Sequence, residues 1–157
     1  MRVIIDTNVF IHGLFTRGQS FLDVACRNIV QAVRDGRICA VGSEEIVTEY
    51  LWMILGRLLQ LKLKREQIQT VYFPAVIKVI ASIEKAPHHT FLPDDWIRDP
   101  DDKMFLECAA DAMVSMIISE DRALLDLEKY GDDDVIHFVR KHGIQIIHPE
   151  EFARRYL

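Results

Sequence analysis

Short runs rich in β-branched residues alternate with longer stretches of helical periodicity, and that alternation most limits the folds open to this chain. Residues 2–6 (RVIID), 37–42 (RICAVG), 113–119 (MVSMIIS) and 144–147 (IQII) read as strands. Helices with recognisable ends lie between them. Ser20 and Asp23 have capping-box spacing, and Asp35-Gly36 closes the helix they open. Ser43 caps a helix reaching about Leu61, with Glu44 and Glu45 in its first turn. A second helical stretch runs from Glu66 to Lys85, where Pro74 predicts a kink or a division in two. Residues 89–92 (HTFL) are a further strand candidate. Asp99 and Pro100 open a helix over 100–112, and helices are expected over 121–130, over 133–142 and from Pro149. Strands separated by helices specify an α/β fold with a central, mainly parallel sheet of about four or five strands.

The composition fits one such core. Of 157 residues, 50% are hydrophobic and 27% charged, and no repeat or Ser/Gly linker divides them, so a single domain over 1–157 is expected. No apolar run approaches the ~18 residues of a membrane span, and the opening segment meets Asp6 too soon for a signal peptide. Cys26, Cys39 and Cys108 are far apart and form no CxxC pair, as expected of buried thiols in a reducing compartment. These features together predict a cytoplasmic protein without a membrane partner. The net charge of −5 argues against a protein coated in base to grip duplex DNA. Yet the charges are grouped. Asp94, Asp95, Asp99, Asp101 and Asp102 crowd one segment, while Arg57, Lys62, Lys64 and Arg65 crowd another. Clustered acids suggest a cation, and clustered bases a polyanion beside it.

In parallel α/β sheets ligands bind beyond the carboxyl ends of the strands, which decides which acids matter. Asp6 ends the first strand, and Asp121 lies just past the 113–119 strand. Asp99 and Asp102 open the helix leading into that strand, and Glu49 lies early in the helix after the second. Converging at one sheet edge, with Asn8 or Ser119 nearby, they would form the hard oxygen set that Mg²⁺ or Mn²⁺ takes. Singly, each has a bland account. Asp6-Thr7-Asn8 makes a strand-to-helix turn, Asp99 to Asp102 satisfy a helix N-terminus, Asp121 caps a helix, and Glu49 is a solvated residue off an apolar stripe. Their coincidence at strand ends favours a shared site.

Four segments, in order, resemble the PIN-domain ribonucleases, specifically the PIN proteins classed as toxins of type II toxin–antitoxin pairs (VapC-like). MRVIIDTNVFIHGLF is similar to the family's opening strand, SEEIVTEYLWMIL to the helix with its second acid, RDPDDKMFLECA to its D-x-x-D-x-x-F-L pattern, and MIISEDRALLDL to its I-V-T-x-D-x-x-L-L, with Ser119 in place of the usual Thr. GIQIIHPEEFARRYL resembles the closing strand and helix. A Gly usually precedes the strand at 113–119; here Cys108 to Met113 has none. The resemblance implies a three-layer α/β/α fold and a metal-dependent endoribonuclease acting on single-stranded or loop RNA. It places Asp6, Asp102 and Asp121 as metal ligands. Glu49 would hold a second metal or orient water, and the choice of Asp102 over Asp101 or Asp99 as the third acid rests on register alone, with Asp99 supporting the ligands from outside. Asn8 and Ser119 would fix the Asp6 and Asp121 carboxylates, and Arg98 and Lys103 would meet substrate, with Lys62, Lys64 and Arg65 as a second basic surface. Water activated by Mg²⁺ or Mn²⁺ would attack the phosphodiester in line. The partners implied are RNA, an antitoxin protein and a second copy of the chain, the last through the apolar helices spanning Leu51 to Leu59 and Val71 to Ile80. A structure-specific DNA nuclease and a catalytically silent RNA- or protein-binding module are the alternatives.

Overall fold

The computed structural model describes residues 1–61 and 64–157. Its centre is β1 (Arg2–Ile5), flanked by β2 (Cys39–Gly42) and β4 (Met116–Ile118), with β3 (Glu84–Lys85) and β5 (Gln145–Ile147) at the edges. All five strands are parallel, in the order β3-β2-β1-β4-β5. Val3, Ile4, Ile5, Ile117 and Ile118 are all fully buried. Helices cover both faces of such strands, which is why they read as unbroken apolar runs.

The helices in chain order are α1 (Thr7–Phe15), α2 (Phe21–Arg34), α3 (Glu44–Gln60), α4 (Arg65–Gln67), α5 (Phe73–Ala81), α6 (Lys103–Asp111), α7 (Arg122–Leu125), α8 (Leu127–Tyr130), α9 (Asp133–Lys141) and α10 (Pro149–Tyr156). Among the described residues, no helix is long and apolar enough to cross a membrane. The Ser20–Asp23 capping box forms as expected, and Ser43 Oγ accepts from the Ile46 N–H at 3.3 Å.

Several boundaries differ from the expectation, each for a local reason. α1 starts at Thr7, with only Asp6 between it and the end of β1, and no Gly or Pro marks the change from strand to helix. Pro74 lies in the first turn of α5, and the backbone meets it through a π-helical turn over Ile68–Tyr72, in which the Phe73 N–H bonds the Ile68 carbonyl. The helix then stops at Ala81 instead of Lys85, and the two exposed residues Glu84 and Lys85 form the edge strand. Residues 89–92 are not a strand. Their backbone donors go to α6 carboxylates, His89 and Thr90 N–H to Asp111 and Leu92 N–H to Glu107. The helix expected over 121–130 divides at Asp126 into α7 and α8. Before β4, Met113 takes φ +52°, the left-handed conformation for which the expected glycine would be suited.

The end of β1 is held from α3. Tyr50, 1% exposed, stacks on Phe10 with ring centroids 4.3 Å apart, and its hydroxyl donates to the Ile5 carbonyl. Removing that donor leaves a buried acceptor short of a partner. Tyr50→Phe is therefore expected to cost ~1–3 kcal/mol, read as a lower urea midpoint with an unchanged m-value.

Candidate metal and nucleic-acid site

The pairing of β1 with β4 puts Ile5 opposite Ile118, so the residues that follow each strand, Asp6 and Ser119, emerge side by side. The Asp6 N–H bonds the Ile118 carbonyl at 2.8 Å, extending the ladder by one step. The Asp6 side chain is the N-cap of α1 and accepts from the Asn8 N–H at 3.0 Å and from Ser119 Oγ at 2.5 Å. Ser119 Oγ in turn accepts from the Asp121 N–H at 2.9 Å, while the Asp121 carboxylate caps α7 through the Ala123 N–H at 2.6 Å. One buried hydroxyl thus ties the first and last acids to the same point.

Asp99 caps the 3-10 turn Pro100–Asp102 by accepting from the Asp101 N–H at 3.1 Å. That turn exposes Asp101 and half-buries Asp102. Asp102 Oδ2 is buried with no hydrogen-bond partner. Burial first, and then the charges of Asp6, Asp121, Asp99 and Glu49, push the Asp102 carboxyl up to about 7. Glu49 enters from α3, one residue before the buried Tyr50. Burial raises its carboxyl, and the charges of Asp6, Asp101 and Asp99 add to that. The buried Thr7 hydroxyl faces Glu49 without completing a hydrogen bond to it. Burial also raises Asp6, against the Ser119 and Asn8 bonds that favour its charged form.

Asp6, Glu49, Asp99, Asp102 and Asp121 are therefore brought into one electrostatic neighbourhood. The flanking residues behave otherwise. Asn8 reaches Asp6 through its backbone N–H, not its side-chain amide, and Ser119 bonds the Asp6 carboxylate but only the backbone of Asp121. Lys103 Nζ is ion-paired with Asp94, while its side chain lines a cleft with Glu49 and Asp101. Arg98 is exposed and lines a different cleft with Trp96 and Arg122. Lys62 lies outside the described residues, and Lys64 is exposed before α4. Two groups had no sequence signal beyond single polar letters. His12 Nε2 lies 2.8 Å from Asp23 and its Nδ1 3.4 Å from Glu120. His88 lies 3.4 Å from Glu45 and 3.3 Å from the buried Glu107.

The donor set fits a hard divalent cation. It is all oxygen, it is anionic, and one buried carboxylate oxygen has no partner. Among the described residues, the trios with ligand atoms within 4.8 Å of one another are His12–Cys26–Glu120 and Glu45–His88–Glu107, and the strand-end acids are not among them.

A family model for the PIN domain matches residues 2–123, a span holding all five of these acids. The chain belongs to the PIN-domain family. PIN domains are typically metal-dependent nucleases, acting on nucleic acid and binding divalent metals. No curated protein and no solved structure matches the chain at a significant level.

The raised Asp102 carboxyl has a definite sign in metal-free protein. The folded group keeps its proton to about pH 7, whereas the unfolded one releases it near its ordinary value of 3.8. Between those values the folded state binds more protons, so stability falls as pH rises through the window and levels off above it. Urea midpoints in EDTA should show this decline, and Asp102→Asn should flatten it.

Proposed function

We propose that this chain is a metal-dependent endoribonuclease that uses Mg²⁺ or Mn²⁺ and serves as the toxin of a toxin–antitoxin pair. The observation that carries the nuclease reading is Asp102 Oδ2, buried without a partner among four other carboxylates at the ends of β1 and β4. A site of that kind is unfavourable for a protein unless a cation neutralises it. Asp6, Asp102 and Asp121 are assigned as the metal-holding residues, with Glu49 holding a second ion or orienting water. When bound, the cation would supply Lewis-acid charge for the phosphate and activate water for in-line attack. Ser119 holds the Asp6 carboxylate in a fixed rotamer and anchors the backbone that presents Asp121. Asp99 shapes the turn that directs Asp102 inward.

The reading is tested with unstructured RNA in Mn²⁺ buffer. Wild type should cleave it, EDTA should stop cleavage, and Asp6→Asn or Asp121→Asn should lose at least ~10²-fold in rate while staying folded by circular dichroism. Cleavage of flap or hairpin DNA in preference to RNA would move the assignment to a DNA nuclease. Wild-type rates in Asp6→Asn would remove the proposed chemistry.

A homodimer is the assembly that the exposed apolar surface supports. Of the apolar residues in α3 and α5, Ile54, Leu58, Val76 and Val79 close the core, but Leu51, Leu55 and Leu59 form an exposed row four residues apart, and Phe73 and Ile77 are exposed on α5. Leu59 is 72% exposed. A surface of this kind is usually covered by another chain. Light scattering at micromolar concentration should give a dimer mass, and Leu55→Glu should return the monomer.

A further inference from the structure

Two clefts meet at one residue pair beside the acids. The first, about 430 Å³, lies between α1 and α3, and its lining includes Asn8, His12, Trp52, Arg57 and Glu120. The second, about 520 Å³, lies between α1, α2 and α5, and its lining includes Arg27, Arg34 and Tyr72. Phe15 and Thr16 line both, so they join around the end of α1. The near end of the first cleft touches the acid site. Asn8 bonds Asp6 through its N–H, and the Glu120 charge acts on the Asp6 carboxyl.

We infer that these joined clefts carry a single nucleic-acid strand away from the acid site, with unpaired bases on Trp52 and Phe15 and phosphates at Arg57, Arg27 and Arg34. The inference rests on the nuclease reading for the strand's starting point and adds the path that the strand takes from it. Charge selects the occupant. In a chain of net charge −5, the two linings hold three arginines against one acid, Glu120, and that acid sits at the end nearest the metal-binding candidates. Trp52 is 69% exposed at the edge of the first cleft, on the α3 face that also carries Leu55 and Leu59, and its other side borders Glu45 and Glu49. An exposed aromatic in the same cleft as Arg57, with Arg27 and Arg34 farther along, suits a stacked base followed by a phosphate backbone, the pattern of single-strand binders. A duplex keeps its bases paired and offers no face to Trp52.

Gly56 supplies a variant that blocks the path without unfolding the protein. It lies within α3 and lines the first cleft, and a Cβ added there meets nothing within 4 Å. Gly56→Leu therefore places a side chain in the cleft while improving helix propensity. Binding is read by anisotropy of a labelled single-stranded RNA of about twelve nucleotides, with Asp6→Asn protein so that it stays uncut. Trp52→Ala and Gly56→Leu should each weaken Kd by about tenfold, whereas Phe21→Ala, an exposed aromatic outside the clefts, should leave it unchanged. Arg57→Gln and Arg34→Gln should each reduce the slope of log Kd against log salt by roughly 0.7. Unchanged affinity in Trp52→Ala and Gly56→Leu would overturn the path, as would an equal loss for the matching duplex. Dissociation of a dimer by these variants would assign the clefts to a second copy instead. Wild-type cleavage of the same RNA separates the two readings: cleavage with no variant effect on binding rejects the path alone, and variant-sensitive binding without cleavage rejects the nuclease alone.

Discussion

Repulsion among carboxylates at the ends of β1 and β4 is the constraint that the surrounding structure has to withstand. Like charges brought together in a partly dry site raise one another's pKa, and the fold must supply the energy that keeps them there. It does so with backbone. Asp6 and Asp121 each cap a helix, Asp99 caps the turn that carries Asp102, and Ser119, just past β4, bonds Asp6 at the end of β1. Glu49 rides on α3, whose next residue, Tyr50, is bonded to the end of β1. No acid in the cluster stands on a free loop. Such a site is held open in advance, so a cation entering it relieves repulsion and need not organise ligands.

The same elements serve two purposes, which explains why α1 and α3 are packed as they are. α1 begins with the cap that fixes Asp6 and ends with Phe15, where the clefts meet. α3 sends Glu49 toward the acids, Ile54 and Leu58 into the core, Trp52 and Arg57 into a cleft, and Leu51, Leu55 and Leu59 outward. Its buried residues are Ile46, Tyr50, Ile54 and Leu58, and most of the others are exposed. Its long apolar run is thus divided among core, cleft and an exposed row, and no single stripe describes it.

Much of this was legible before any coordinates. Asp6 and Asp121 stand at the ends of apolar runs, and the rule for parallel sheets already marks strand ends as ligand positions. What could not be read was pairing. Nothing local says that Ile5 lies opposite Ile118, the register that places Ser119 beside Asp6; the resemblance alone carried the expectation that Ser119 would hold that carboxylate. β3 escaped notice because two exposed residues, Glu84 and Lys85, carry no strand periodicity, while 89–92 looked like a strand although its amides are satisfied by Asp111 and Glu107. Asp101 and Asp102 are equivalent as letters, and only the 3-10 turn distinguishes them by exposing one and burying an oxygen of the other.

Net charge proved the least informative number because it averages over surfaces with opposite tasks. A protein that holds cations with clustered acids repels a polyanion at that very spot, so the attraction for substrate has to come from elsewhere on the molecule. Here the cations nearest in sequence are poorly placed for it: Lys103 is ion-paired with Asp94, and Arg98 lines a cleft with Trp96 and Arg122. The arginines in the joined clefts come from α2 and α3, scattered at positions 27, 34 and 57, and form no run in the sequence. Folding puts Arg57 in the cleft between α1 and α3 and Arg27 with Arg34 in the cleft beyond the end of α1, and among the described residues Glu120 is the one acid in the two linings. A divalent ion bound among the strand-end acids would offset part of the negative charge at that end of the path and weaken its repulsion of the strand's phosphates.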